Sequence, residues 1–262
     1  MLAEVSRLDL RLRRRSTVGY TLGVGCYALL IVALYPSFKN DHSLNELTTA
    51  NPKLAALCGA SGSLTSPDGW MNANLYANFL PLFALLMTIG YGAAAIAGQD
   101  EEGTLGGLAA LPMTRLHLLL EKVLALGVLS LPIAVISLGA TLAGRGFGLS
   151  LDLWAVIQVT CTVAVMALDF GLLALAVGAW TGSRSASLGI STAVAAAAYV
   201  ISSLAPTVEW VHAIRYLSPI YWTVGANQVG DGATALQILL LALTGAGLGL
   251  FARVGLARLD IH

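Results

Sequence analysis

The chain has 262 residues, of which 57% are hydrophobic and only 11% charged. Soluble domains carry about 25% charged residues, so a chain this apolar needs lipid around it. Its formal net charge of zero offers no general basic field for nucleic acid.

The three cysteines, Cys26, Cys58 and Cys161, have no metal-ligand spacing and imply no disulfide framework. Cys26 and Cys161 fall in apolar stretches, where cysteine behaves as a small hydrophobe.

Residues 1–16 open the chain with Arg7, Arg11, Arg13, Arg14 and Arg15. Leu2, Val5, Leu8 and Leu12 recur at spacings of three and four, which predicts an amphipathic helix lying on the membrane surface. A signal peptide is the rival reading. The apolar run that follows is long enough to span, and no small-residue cleavage site follows it.

Six stretches meet the spanning length of roughly 17–25 apolar residues: 17–36, 75–98, 118–143, 153–181, 186–205 and 235–257. The third contains Pro132, a candidate kink. Only Gly182 to Ser185 separates the fourth from the fifth, which predicts a tight hairpin. The fold class is therefore all-α, a single polytopic membrane domain of six transmembrane helices.

Basic residues orient it. Placing the N terminus inside puts Arg7, Arg11, Arg13, Arg14, Arg15, Arg115, Lys122, Arg184, Arg253 and Arg258 on cytoplasmic flanks. Only Lys39, Lys53, Arg145 and Arg215 then lie outside, and the positive-inside rule favours that arrangement. Both termini are expected in the cytoplasm, in a plasma or inner membrane.

Two outer segments are long. Residues 37–74 are polar and predict a small cap. Residues 206–234 carry Trp210, Tyr216, Tyr221 and Trp222 around Pro219, and predict short helices in the outer interface.

Between the second and third spans, residues 99–117 form a dense charged segment that must lie in water. Carboxylates Asp100, Glu101 and Glu102 precede Gly103-Thr104; leucines stand at 105, 108 and 111; Pro112 and Arg115 follow. Glu102 or Thr104 can cap a short helix whose leucines share one face, and Pro112 ends it. Such a helix suits docking onto a soluble partner, or serves only as a solvated connector.

Small residues at four-residue spacing (Gly19/Gly23, Gly90/Ala94/Gly98 and Gly245/Gly249) allow helices to approach closely, within one chain or between two. Asp169 is alone within the fourth span. A carboxylate at that depth is a functional candidate, either for a cationic group or protons, or as a polar contact packed against Ser or Thr of a neighbouring span.

No Gly-x-x-x-x-Gly-Lys-[Ser/Thr] loop occurs, and none of the three lysines, Lys39, Lys53 and Lys122, follows a glycine. The four histidines are scattered, and no catalytic constellation emerges.

The run Glu101-Glu102-Gly103-Thr104-Leu105, Leu108, Leu111-Pro112-Met113-Thr114-Arg115 and Glu121-Lys122 resembles the signature loop of ATP-binding-cassette (ABC) transporter permeases of the type-2 class. The pattern covers about 22 residues and departs at Met113 and at Gly106-Gly107. The segment Leu217-Ser218-Pro219-Ile220-Tyr221-Trp222 resembles, more weakly, one found before the last span in that class.

The resemblance implies an elbow helix at 1–16, a coupling helix in the loop at 99–117, and a non-enzymatic permease subunit of an exporter. It assigns ATPase coupling to Glu101, Glu102, Gly103, Thr104, Leu105, Leu108, Pro112 and Arg115. Leu105 and Leu108 would anchor, Glu101, Glu102 and Thr104 would make polar contacts, and Pro112 and Arg115 would close the loop.

It also implies two ABC ATPase subunits binding ATP and Mg, with no cofactor in this chain. A second permease chain, identical or paralogous, would pair with it in the lipid. The rivals are a secondary transporter driven by protons through Asp169, and a non-transporting membrane assembly partner.

Overall fold

The computed structural model describes residues 4–40, 50, 63–109, 114–225 and 227–259. Those residues are helical or connecting, with no strand among them. Six helical segments are long and apolar enough to cross a membrane: Val5–Phe38, Pro67–Glu101, Arg115–Phe147, Leu153–Thr181, Arg184–Leu204 and Ala235–Arg258. The protein is an all-α polytopic membrane protein.

Helix α1 runs from Glu4 to Phe38 without interruption. The separate elbow expected over 1–16 is thus continuous with the first span. Arg13-Arg14-Arg15-Ser16-Thr17 holds neither Pro nor Gly, so nothing in it stops a helix. Leu8 and Leu12 face outward, whereas Val5, Ser6 and Asp9 are buried. The inward face of this stretch is therefore mostly polar.

The second spanning segment begins before Leu75, with a short helix Pro67–Met71 capped by Ser66. Two π-helical turns, Asn72–Tyr76 and Ala94–Gly98, flank helix α2, Phe79–Ala93. The second turn leads directly into the charged loop. Helix α3, Thr104–Ala109, lies within that loop. Helix α4, Arg115–Ala143, runs through Pro132.

Helix α5, Leu153–Thr181, is central: α2, α4, α6 (Arg184–Leu204) and α8 (Ala235–Arg258) all pack on it. Helix α1 packs along α4. Helices α2 and α5 approach closely, since a Cβ at Gly92 would collide with the Gly171 carbonyl; on the side of α4, a Cβ at Gly171 would fall 2.7 Å from Leu126.

The spaced small residues behave differently. Gly19, Gly23, Gly90 and Gly249 have open space where a side chain would begin, while Gly98 lies under Arg184 and Gly245 under Asp169.

Short helices fill the segment before α8, among them α7, Pro219–Val224. Ser218 explains the Ser-Pro pair. Its Oγ accepts from Tyr221 N–H at the start of α7 and donates to the Ala198 carbonyl of α6 at 2.7 Å. Arg215 lies against the rings of Tyr216 and Tyr221. Much of the cap expected at 37–74, including Cys58, lies outside the described residues.

Candidate functional site

The charged loop has a defined shape up to residue 109. Glu101 ends a single helical turn, Gln99–Glu101, and Gly103 adopts φ +68°. Glycine takes that left-handed conformation without steric cost, which lets α3 begin at the next residue. Thr104 Oγ donates to the Gln99 carbonyl at 3.1 Å, bridging the turn.

Glu101 Oε1 accepts the backbone N–H of Arg184 at 2.8 Å. That N–H opens α6, so the carboxylate ties the loop to the fourth-to-fifth hairpin at a helix N terminus, where a negative charge is favoured. Glu102 is exposed.

Leu105 points the other way. It is fully buried in the chain's own core, so it cannot serve as an outward anchor and instead seats α3. Leu108 lies in α3 with its side chain outside the described set, and Pro112 lies outside the described residues altogether.

At the far end of the loop, Thr114 caps α4 by accepting from His117 N–H. Arg115 donates to the carbonyls of Leu256, Ala257 and Leu259 at 2.7, 3.2 and 2.9 Å. A guanidinium there satisfies carbonyls left open at the C-terminal end of α8 and complements its dipole. The expected loop closure is therefore a tie from the loop to the last span.

The structure adds a cluster in which the role of Asp9 was not apparent from the sequence. Lys122 Nζ lies 2.9 Å from Asp9 Oδ2, with both side chains buried. Tyr91 hydroxyl donates to the same carboxylate oxygen at 2.6 Å, and Gln99 Nε2 donates to Oδ1 at 3.3 Å. Lys122 also donates to Gln99 Oε1 at 2.7 Å. One helical position earlier, Glu121 Oε2 accepts the Ser6 backbone N–H at 3.0 Å, near the start of α1.

Gln99 begins the loop and Lys122 lies just beyond it. Both ends of the loop are thus fastened to the same turn of α1. Above the clamp, Arg13 lies 5.1 Å over the Tyr91 ring, in the wall of a cavity of about 250 Å³ shared with Glu102 and Arg184.

Asp169 is far from this cluster in sequence and in helix position. It is buried on α5, and its Oδ2 accepts from Thr244 Oγ of α8 at 3.0 Å. Gly245 leaves the room for it: a Cβ there would fall 2.5 Å from Oδ1. The loop residues and Asp169 form two separate sites.

No group of three or more metal-ligating side chains is found among the described residues. No curated protein matches the chain. The family model described as ABC-2 family transporter protein matches residues 3–252, nearly the whole length. With six spanning helices, and with a loop of this pattern between the second and third, the chain belongs to the ABC-2 transporter family.

Proposed function

We propose that this chain is the transmembrane permease subunit of an ABC exporter, and that the loop at 99–117 couples it to a separate ATPase subunit. The observation that carries the reading is the fastening of that loop. Asp9, Lys122 and Gln99 join both of its ends to α1, Glu101 joins it to α6, and Arg115 joins it to α8. A push on α3 therefore reaches three spans through short polar contacts, whereas a passive connector needs none of them.

The chain has no phosphate-binding loop of its own, so ATP and Mg belong to the partner. Six spans suggest two permease chains with two ATPase chains. Glu102 and Thr104 are exposed polar groups of the docking surface, and Leu105 holds α3 in place from behind.

The test is co-purification of an ABC ATPase subunit with the tagged chain from its native membrane, with ATP turnover by the complex. Glu102→Arg leaves the permease folded and in the membrane but reduces ATPase recovery, in a salt-dependent manner. Wild-type recovery and turnover from this variant would overturn the docking assignment.

Orientation is tested separately by single cysteines. An impermeant thiol reagent applied to intact cells labels Ser63→Cys and spares Thr104→Cys. Labelling of Thr104→Cys from outside would reverse the topology and remove the coupling role with it.

A further inference from the structure

Asp169 stands in the wall of a cavity of about 500 Å³ bounded by α5, α6, α8 and the start of α7. Phe170, Ala198, Ile201 and Leu248 are among its walls, and Thr244 is the only other lining residue with a polar side chain among the described residues. The volume is in the range of small-molecule sites, and the lining follows their usual pattern of apolar walls with few polar groups.

The carboxylate is 3% exposed, and its hydrogen bonding is half complete. Oδ2 accepts from Thr244, but Oδ1 is buried with no hydrogen-bond partner among the described residues. Among those residues, no lysine, arginine or histidine lines the cavity from any of the four helices. A carboxylate at membrane depth normally has such a partner or faces a site.

We propose that this cavity binds a lipophilic cation, an apolar body bearing an ammonium-type group, with Asp169 as its counter-ion. Charge complementarity selects the class. The ionisable group in the wall is acidic, and no basic side chain among the described lining residues balances its charge. The apolar remainder of the wall selects a hydrophobic body. Because the cavity lies within the spanning helices, such a ligand arrives from the bilayer. The inference stands apart from the coupling reading, since binding to this site requires no ATPase.

The experiment uses the full-length chain in lipid nanodiscs and the fluorescent cation rhodamine 6G. Anisotropy is read against empty nanodiscs, which isolates the saturable part. Wild-type protein is expected to show saturable binding. Asp169→Asn, close in shape and uncharged, weakens it at least tenfold, while Asp169→Glu retains most of it. Ala198→Leu, which fills the cavity without touching the charge, weakens it as well.

Size-exclusion profiles identify any variant that fails to fold, and the remaining variants then decide. No saturable binding to wild type, or equal affinity in well-folded Asp169→Asn or Ala198→Leu, overturns the proposal. Loss of ATPase recovery in Glu102→Arg with cation binding intact would separate this site from the coupling loop.

Discussion

Two aspartates, Asp9 and Asp169, are buried to nearly the same degree, 4% and 3% exposed, in very different company. Asp9 has a lysine, a tyrosine hydroxyl and a glutamine amide on its two oxygens. Asp169 has one threonine hydroxyl and one oxygen with no hydrogen-bond partner among the described residues; both aspartates line cavities, but Arg13 and Arg184 share the wall with Asp9, whereas no described basic residue shares it with Asp169. A buried charge whose partners are all internal holds elements together, and its arrangement is rigid because every alternative leaves a charge unpaired. A buried charge with an open acceptor has capacity left for something else. Degree of burial alone would not have told the two apart.

The difference between them should show most sharply at the clamp. Removing one member of a buried ion pair costs about 3–5 kcal/mol, because the other charge remains in a low-dielectric site. Lys122→Met should therefore strongly lower the thermal midpoint of the full-length protein in nanodiscs. The double variant Asp9→Asn/Lys122→Met should regain much of the loss, since no bare charge remains. A single variant as stable as wild type would mean that Asp9 is not held as the structure shows it.

Leu105 comes next. Truncating a fully buried leucine costs about 2–5 kcal/mol, so Leu105→Ala should lower the thermal midpoint of the permease alone, before any ATPase is added. Glu102→Arg, on the exposed side of the same loop, should leave that midpoint within about 0.5 kcal/mol of wild type. If Leu105→Ala left stability untouched and affected only ATPase recovery, the leucine would face outward after all.

Much of this molecule is legible in its amino-acid sequence. Six spans follow from apolar run length, because a bilayer imposes that length on any helix crossing it. The order of residues around Gly103-Thr104 marks the loop. The clamp is far less legible. Asp9 stands among five arginines on α1, where the repeat of Val5, Leu8 and Leu12 marks a face for the membrane surface and nothing marks Asp9.

Leu8 and Leu12 do face outward, while Asp9 on the inner face pairs with a lysine 113 positions away. Local periodicity carries no information about a partner at that distance. The available clue was composition: an aspartate among the arginines of α1, and one lysine just inside a span. Leu105 misled for a related reason. A leucine stripe on a short helix has the same pattern whether it faces a partner or its own core.

Gly103 tests whether the loop's shape matters in its own right. At φ +68° a Cβ costs about 1–2 kcal/mol, although among the described residues none lies within 4 Å to clash with it. Gly103→Ala should thus disturb α3 locally and weaken ATPase recovery, with a smaller change in the thermal midpoint than Leu105→Ala produces. Hydrogen exchange over residues 99–109 should rise in this variant. Unchanged exchange there would mean that the turn does not define the loop.

The smallest effect is expected at Thr244, and it sharpens the comparison most directly. Hydrogen bonds between spanning helices average only about 0.6 kcal/mol, because helices separated in the membrane also find partners. Thr244→Val removes the one hydroxyl that Asp169 has while keeping the side chain's size. If the Thr244–Asp169 contact were the main reason for a carboxylate at that depth, its loss would destabilise the protein far more than the average bond. If Asp169 is instead held for a ligand, Thr244→Val should shift the midpoint by no more than that average. Both carboxylate oxygens would then be free, so cation affinity would be kept or raised. A fall in stability approaching that of Lys122→Met would place Asp169 with Asp9, as a structural charge whose single partner is indispensable.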